Sequence, residues 1–135
     1  MAASRLLMDT ASAALAKAAS ATLLRQRAII TNVVNAQTPG YQPLRVEFEA
    51  ALEAAIRREK SDAGFGRGED AGAGIDGAIT LVRREIAPPH RWDQNGVNLE
   101  EEVVALAEAT IQHEAVIRLL SGKFRMLEIV LSSRG

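Results

Sequence analysis

His90 and His113 are the side chains best suited to acid–base or metal chemistry, and neither has the neighbours that such chemistry needs. Neither belongs to a His-Glu-x-x-His or comparable ligand spacing. His90 stands in a polar turn region and His113 on a helical stripe, so each reads as a packed or partly exposed side chain. Glu100-Glu101-Glu102 offers adjacent carboxylates, but they directly follow Asn98, where a helix start draws negative charge. Ser121-Gly122-Lys123 sets a hydroxyl beside a cation inside a helical pattern, with no glycine-rich turn before it. Gly122 costs a helix about 1 kcal/mol there and is expected to leave room for a neighbouring backbone. Gly64-Phe65-Gly66-Arg67-Gly68 lacks the Lys-Ser/Thr ending of a phosphate loop and the spacing of a dinucleotide loop. Asp93-x-Asn95-Gly96 places its glycine too early for a calcium loop and reads as a turn leading into a helix. An enzyme needs a convergent set of acids, bases or nucleophiles. The expectation is a protein without catalytic residues, cofactor or metal.

Composition narrows the partners. A chain of 135 residues is about one domain, and its net charge of −1 argues against nucleic acid, which needs a basic face. The absence of cysteine removes disulfides and thiolate metal sites. No segment has the length and apolarity of a membrane span. The start, Met1 to Asp9, lacks the apolar run and cleavage site of a secretory signal peptide, so if the protein leaves the cytoplasm it is expected to do so by a route that keeps the N-terminus.

The elements carry more information. Ala3 to Gln37 contains no glycine or proline, is rich in alanine, and predicts a long helix. Thr38-Pro39-Gly40-Tyr41 stops it. Pro39 presets φ for the first central position of a type II turn, and Gly40 supplies the positive φ required at the second. Leu44 to Phe48 alternates as an extended segment, and a short helix is predicted from Glu47 to Arg58. Ser61 to Gly77 reads as a glycine-rich loop, Ile79 to Ile86 as a strand, and Pro88-Pro89 as its end.

Asn98 then caps a second long helix, with Glu101 at the capping-box position. Leu99, Val103, Leu106, Thr110, His113, Ile117, Leu120, Phe124, Leu127 and Leu131 follow 4-3 spacing, the seam of a coiled coil, with Thr110 and His113 as polar interruptions. A second apolar line runs through Val104, Ala107, Ile111 and Ala115 and resumes at Met126 and Val130, so this helix wants more than one helical neighbour. The expected fold is mainly α. Long N- and C-terminal helices (1–37 and 98–135) pair as a coiled coil or bundle, around an irregular middle (38–97) with a short helix and a short β segment. Such helices would leave apolar surface uncovered in a monomer.

Arg25 to Tyr41, followed by Phe48, resembles the N-terminal signature of bacterial flagellar axial proteins of the rod and hook class. Asn95-Gly-Val-Asn-Leu-Glu-Glu-Glu-Val103, through Leu120-Ser-Gly-Lys-Phe-Arg-Met-Leu127, resembles the end of a proximal-rod member of that family. The resemblance carries over Asn32, Asn35, Thr38, Pro39, Gly40, Tyr41 and Phe48 as the turn motif. It implies that the seam Leu99, Val103, Leu106, Ile117, Leu120, Phe124, Leu127 and Leu131 serves assembly. It further implies a structural subunit of the basal-body rod in the periplasm, a tubular drive shaft needed for motility, exported through the flagellar type III apparatus. The implied partners are further copies of the chain, rod proteins of the FlgC, FlgF and FlgG types, and the adaptor FliE with the MS ring beneath it. The alternatives are a FlgC-like sibling, or a non-flagellar helical adaptor or export chaperone.

Overall fold

The computed structural model describes residues 9–62, 75, 78, 80–86, 88–89 and 91–133. The chain is mainly helical. Helix α1 (Thr10–Val34) leads to strand β1 (Leu44–Glu47), helix α2 (Glu49–Asp62), strand β2 (Leu81–Arg84) and helix α3 (Leu99–Ser132). Most of the glycine-rich stretch, together with His90, Ile79 and the expected first turns from Ala3, lies outside the described residues.

Each boundary has a local cause. Asp9 caps α1 by accepting from the Ser12 N–H at 2.8 Å. At the other end the Asn35 amide donates to the Thr31 carbonyl at 2.8 Å, so the helix stops at Val34, short of Gln37. Gly40 has φ of 70°, and the Tyr41 N–H donates to the Thr38 carbonyl at 3.3 Å, as a type II turn requires. Helix α2 begins at Glu49, later than its spacing suggests, because Glu47 is held in the strand ladder opposite Leu81. β1 and β2 pair antiparallel, from Leu44 opposite Arg84 to Glu47 opposite Leu81. The Asn98 side chain accepts from the Glu100 and Glu101 N–H groups and starts α3.

A small core of Ala21, Ala28, Val46 and Phe48 joins α1 to the strand pair and α2, with Ala18, Leu44 and Leu52 against it. α1 and α3 lie antiparallel, since Asn32 meets Glu102 while Asp9 meets Lys123. The residues of α3 withdrawn from solvent include Glu102, Leu106, Ala109, His113, Val116, Leu120, Lys123 and Leu127, a 4-3 run of its own. It shares Leu106, His113, Leu120 and Leu127 with the run read from the sequence. Leu99, Val103, Ile117, Phe124 and Leu131 stand beside it, exposed. Gly122 gives room to nothing in this chain: outside its own helix backbone, no atom of the described residues stands within 4 Å of where a β-carbon would be.

Candidate assembly site: a buried clasp and two open helix faces

Asn32 is fully buried. Its Nδ2 donates to the Leu44 carbonyl at 3.0 Å and to Glu102 Oε2 at 3.1 Å. Its Oδ1 accepts from the Leu44 N–H at 2.7 Å and the Tyr41 hydroxyl at 3.0 Å. An amide has two donors and two lone pairs, and all are used. One side chain thus joins the first helix, the chain after the turn and the last helix. Glu102, 1 % exposed, is an ion kept from water, and Arg45 answers it with Nη1 at 2.6 Å from Oε1. Arg45 also meets Glu85 at 2.6 Å. Burial works against the Arg45 guanidinium, but the Glu102 and Glu85 carboxylates outweigh it and hold its pKa above the ordinary arginine value.

Asn95 closes the turn from the other side. Also fully buried, it donates to the Asn35 and Thr38 carbonyls at 3.0 and 2.7 Å and accepts from the Val97 N–H at 2.8 Å. The Asp93 carboxylate accepts the Asn95 N–H at 3.1 Å, and the Asp93 carbonyl accepts the Gly40 N–H at 2.9 Å. The Asp93–Gly96 stretch therefore binds the turn after α1. Phe48, from the same motif, carries the Arg25 guanidinium 4.7 Å above its ring. Arg25 also reaches the Val46 carbonyl, the Glu49 carboxylate at 2.6 Å and Gln112 Oε1 at 2.9 Å.

Polar pairs continue along the α1–α3 contact. Gln26 donates to Thr110 Oγ1 at 3.1 Å, Thr22 and His113 Nδ1 share a hydrogen bond at 2.8 Å, and Lys123 donates to Asp9 Oδ1 at 2.6 Å. Thr110 and His113, the interruptions of the apolar run, thus fix how the two helices align along their length. Burial raises the Asp9 carboxyl, but Lys123 and Ser12 overcome it and hold the group below its ordinary value.

The structure brings Asn32, Tyr41 and the turn together, and sets Asn35, Thr38 and Gly40 against Asp93 and Asn95. The site residues that sequence reading missed are Glu102, taken for a helix-start charge, and Arg25, Arg45 and Asn95. Glu102 had one usable signal: it stands at 4-3 spacing ahead of Leu106, Ala109 and His113.

What remains is open. Leu23, Leu24, Ile30 and Val34 are exposed on α1, and Val104, Ile111, Leu119, Met126 and Ile129 on α3. A cleft of about 630 Å³ between α1, β1 and α3 is lined by Ala28, Ile29, Leu44, Val46, Ala105, Ala109 and Ile111, with Arg25, Arg45, Glu108 and Gln112 at its polar positions. Among the described residues no group of three or more His, Cys, Asp or Glu is placed to hold a metal ion, and no helix is long and apolar enough to cross a membrane. The geometry is one of buried fastening and exposed apolar contact.

Known proteins share this sequence pattern. No family model matches the chain. It is 28% identical over 111 residues to the flagellar basal body rod protein FlgB of Bacillus subtilis, covering 81% of this chain and 83% of that protein. It is 26% identical over 117 residues to the protein of that name from Borreliella burgdorferi, covering 80% and 85%. It is 25% identical over 126 residues to that of Escherichia coli, covering 81% and 83%. These similarities, with the paired terminal helices, support a flagellar basal-body rod protein as the class of this chain. Within that class they support the FlgB family.

Proposed function

We propose that the chain is a structural subunit of the proximal rod, assembling through α1 and α3 into the tubular shaft that crosses the periplasm. One observation carries this reading: the two long helices of a FlgB-like chain leave apolar stripes in water along much of their length. Apolar surface on that scale marks an interaction face. The turn motif, on this reading, sets the angle at which the first helix leaves the folded middle, and the exposed seam residues Leu99, Val103, Ile117, Phe124 and Leu131 meet neighbouring subunits. The neighbours are other copies and rod proteins of the FlgC, FlgF and FlgG types, with FliE joining the rod base to the MS ring. The chain reaches the rod through the flagellar type III export apparatus.

Electron microscopy of basal bodies purified from the source cells tests this reading. Density for the chain in the proximal rod, and loss of the rod when its gene is deleted, are the expected results. Intact rods and normal swimming in the deletion strain would overturn it.

A further inference from the structure

The outer faces of the two long helices match each other. On α1 the exposed positions Ala16, Ser20, Leu23, Arg27, Ile30 and Val34 repeat at 4-3 spacing, turned away from α3 and the strands. On α3 a stripe runs from Val104 through Ile111, Ala115, Leu119 and Gly122 to Met126, about a third of a turn from the face that meets α1. Each stripe holds an unpaired charge. Arg27 on α1 and Glu108 on α3 are exposed and make no ion pair among the described residues.

We propose that the α3 stripe of one copy receives the outer face of α1 from a second copy, with Arg27 of that copy on Glu108 of the first. This rests on the rod-subunit reading and names the contact. The register comes from the chain itself. Gln26 lies across from Thr110 and Thr22 across from His113. A second copy alongside, in the same orientation and without axial shift, lays its α1 antiparallel to this α3 and repeats that alignment on the outer faces. It sets Arg27 against Glu108, Leu24, exposed at the edge of the α1 face, against Ile111, and Ser20 against Ala115. In the same register Ala16, at the start of the α1 face, meets Leu119, and Leu24 meets Ile111. Gly122, with open space beside it among the described residues, lies in the path of the incoming helix, where a missing side chain permits close approach. The contact is heterologous: each copy uses one face to receive and the other to be received, so the assembly propagates.

The chain has no cysteine, which makes the test direct. Purified full-length Leu24→Cys and Ile111→Cys proteins are mixed at high concentration and oxidised, and the disulfide-linked product is quantified. The expected result is a mixed dimer, one chain of each variant, well above the product of either variant alone. Arg27→Glu or Glu108→Arg added to the mixture should lower its yield on the order of tenfold, and combining both reversals should restore it. Helix content by circular dichroism checks that the variants stay folded; both sites are solvent-exposed. A dominant homodimer of the Leu24→Cys protein, indicating that α1 faces pair with themselves, would overturn the proposal. So would absence of a mixed product, or charge reversals without effect. The assay needs no flagellum: a positive cross-link with normal rods in the deletion strain removes the rod reading and leaves the contact, and the converse result does the opposite.

Discussion

The amide of Asn32 and the carboxylate of Glu102 meet at 3.1 Å inside the protein, joining the first helix to the last. Removing the amide leaves the Leu44 N–H and the Tyr41 hydroxyl without their acceptor and deprives Glu102 of a donor. Asn32→Ala is therefore expected to destabilise the fold by about 2–4 kcal/mol. Asn32→Asp, which sets a second carboxylate against a buried one, should be worse near neutral pH and partly relieved in acid. Urea denaturation at two pH values checks both. Midpoints unchanged in either variant would mean that the clasp does not hold the fold.

Gly40 has φ of 70° with open space around it, so a larger residue there is strained by backbone conformation and not by collision. Gly40→Val should cost about 1–3 kcal/mol and lower the melting temperature. Gln42→Val, just past the turn, should be tolerated. Thermal melts and swimming assays of the pair decide. Equal behaviour would show that the turn geometry is dispensable.

Sequence spacing puts Leu120 and Phe124 on one stripe, and the structure separates them. Leu120 is half-buried on the side of α3 that meets α1, whereas Phe124 is 48 % exposed. Leu120→Asp should lower monomer stability by several kcal/mol through an unpaired charge at the helix contact. Phe124→Asp should leave the monomer melt within about 0.5 kcal/mol of the parent and abolish motility through failed assembly. Normal swimming with Phe124→Asp would remove it from the assembly face.

The Asp9–Lys123 pair gives a pH dependence with a definite sign. The Asp9 carboxyl lies below its usual 3.8 when folded, so its contribution is present above that value and is lost as pH falls through the lower, folded one. The first turn of α1 should open in that acid range, with faster amide exchange at Ser12 and Ala13. Lys123→Met should move the loss to higher pH. An exchange profile identical in both proteins would show that the pair does not hold the helix start.

Much of the architecture was legible in the residues. Pro39-Gly40 announced the turn, Asn98 the start of α3, and the alanine-rich run α1, because each is a local rule acting over a few neighbours. The pairing of β1 with β2 was not legible, since Leu44 and Arg84 carry no local mark of one another. The partners of Asn32 and Asn95 were hidden for the same reason. Glu102 was misread because its neighbours Glu100 and Glu101 are the helix-start charges that it resembles. Only the antiparallel alignment of two distant helices turns one of the three inward. The single-residue offset between the apolar run and the face that meets α1 arose from Ala109, Val116 and Lys123, which a search for large apolar residues passes over.

The clasp also sets an order of events in time. Asn32 finds its last acceptor seventy positions later in the chain, at Glu102. A ribosome delivers residues at a finite pace, N-terminus first. Until Glu102 has emerged, the amide of Asn32 has only water or local carbonyls to answer it, and α1 has only the short strand β1 and helix α2 to lean on. Closing a loop of that length costs entropy that only the completed contact returns. The nascent chain therefore remains open for most of its synthesis, and its two long helices lock together only when the final quarter arrives.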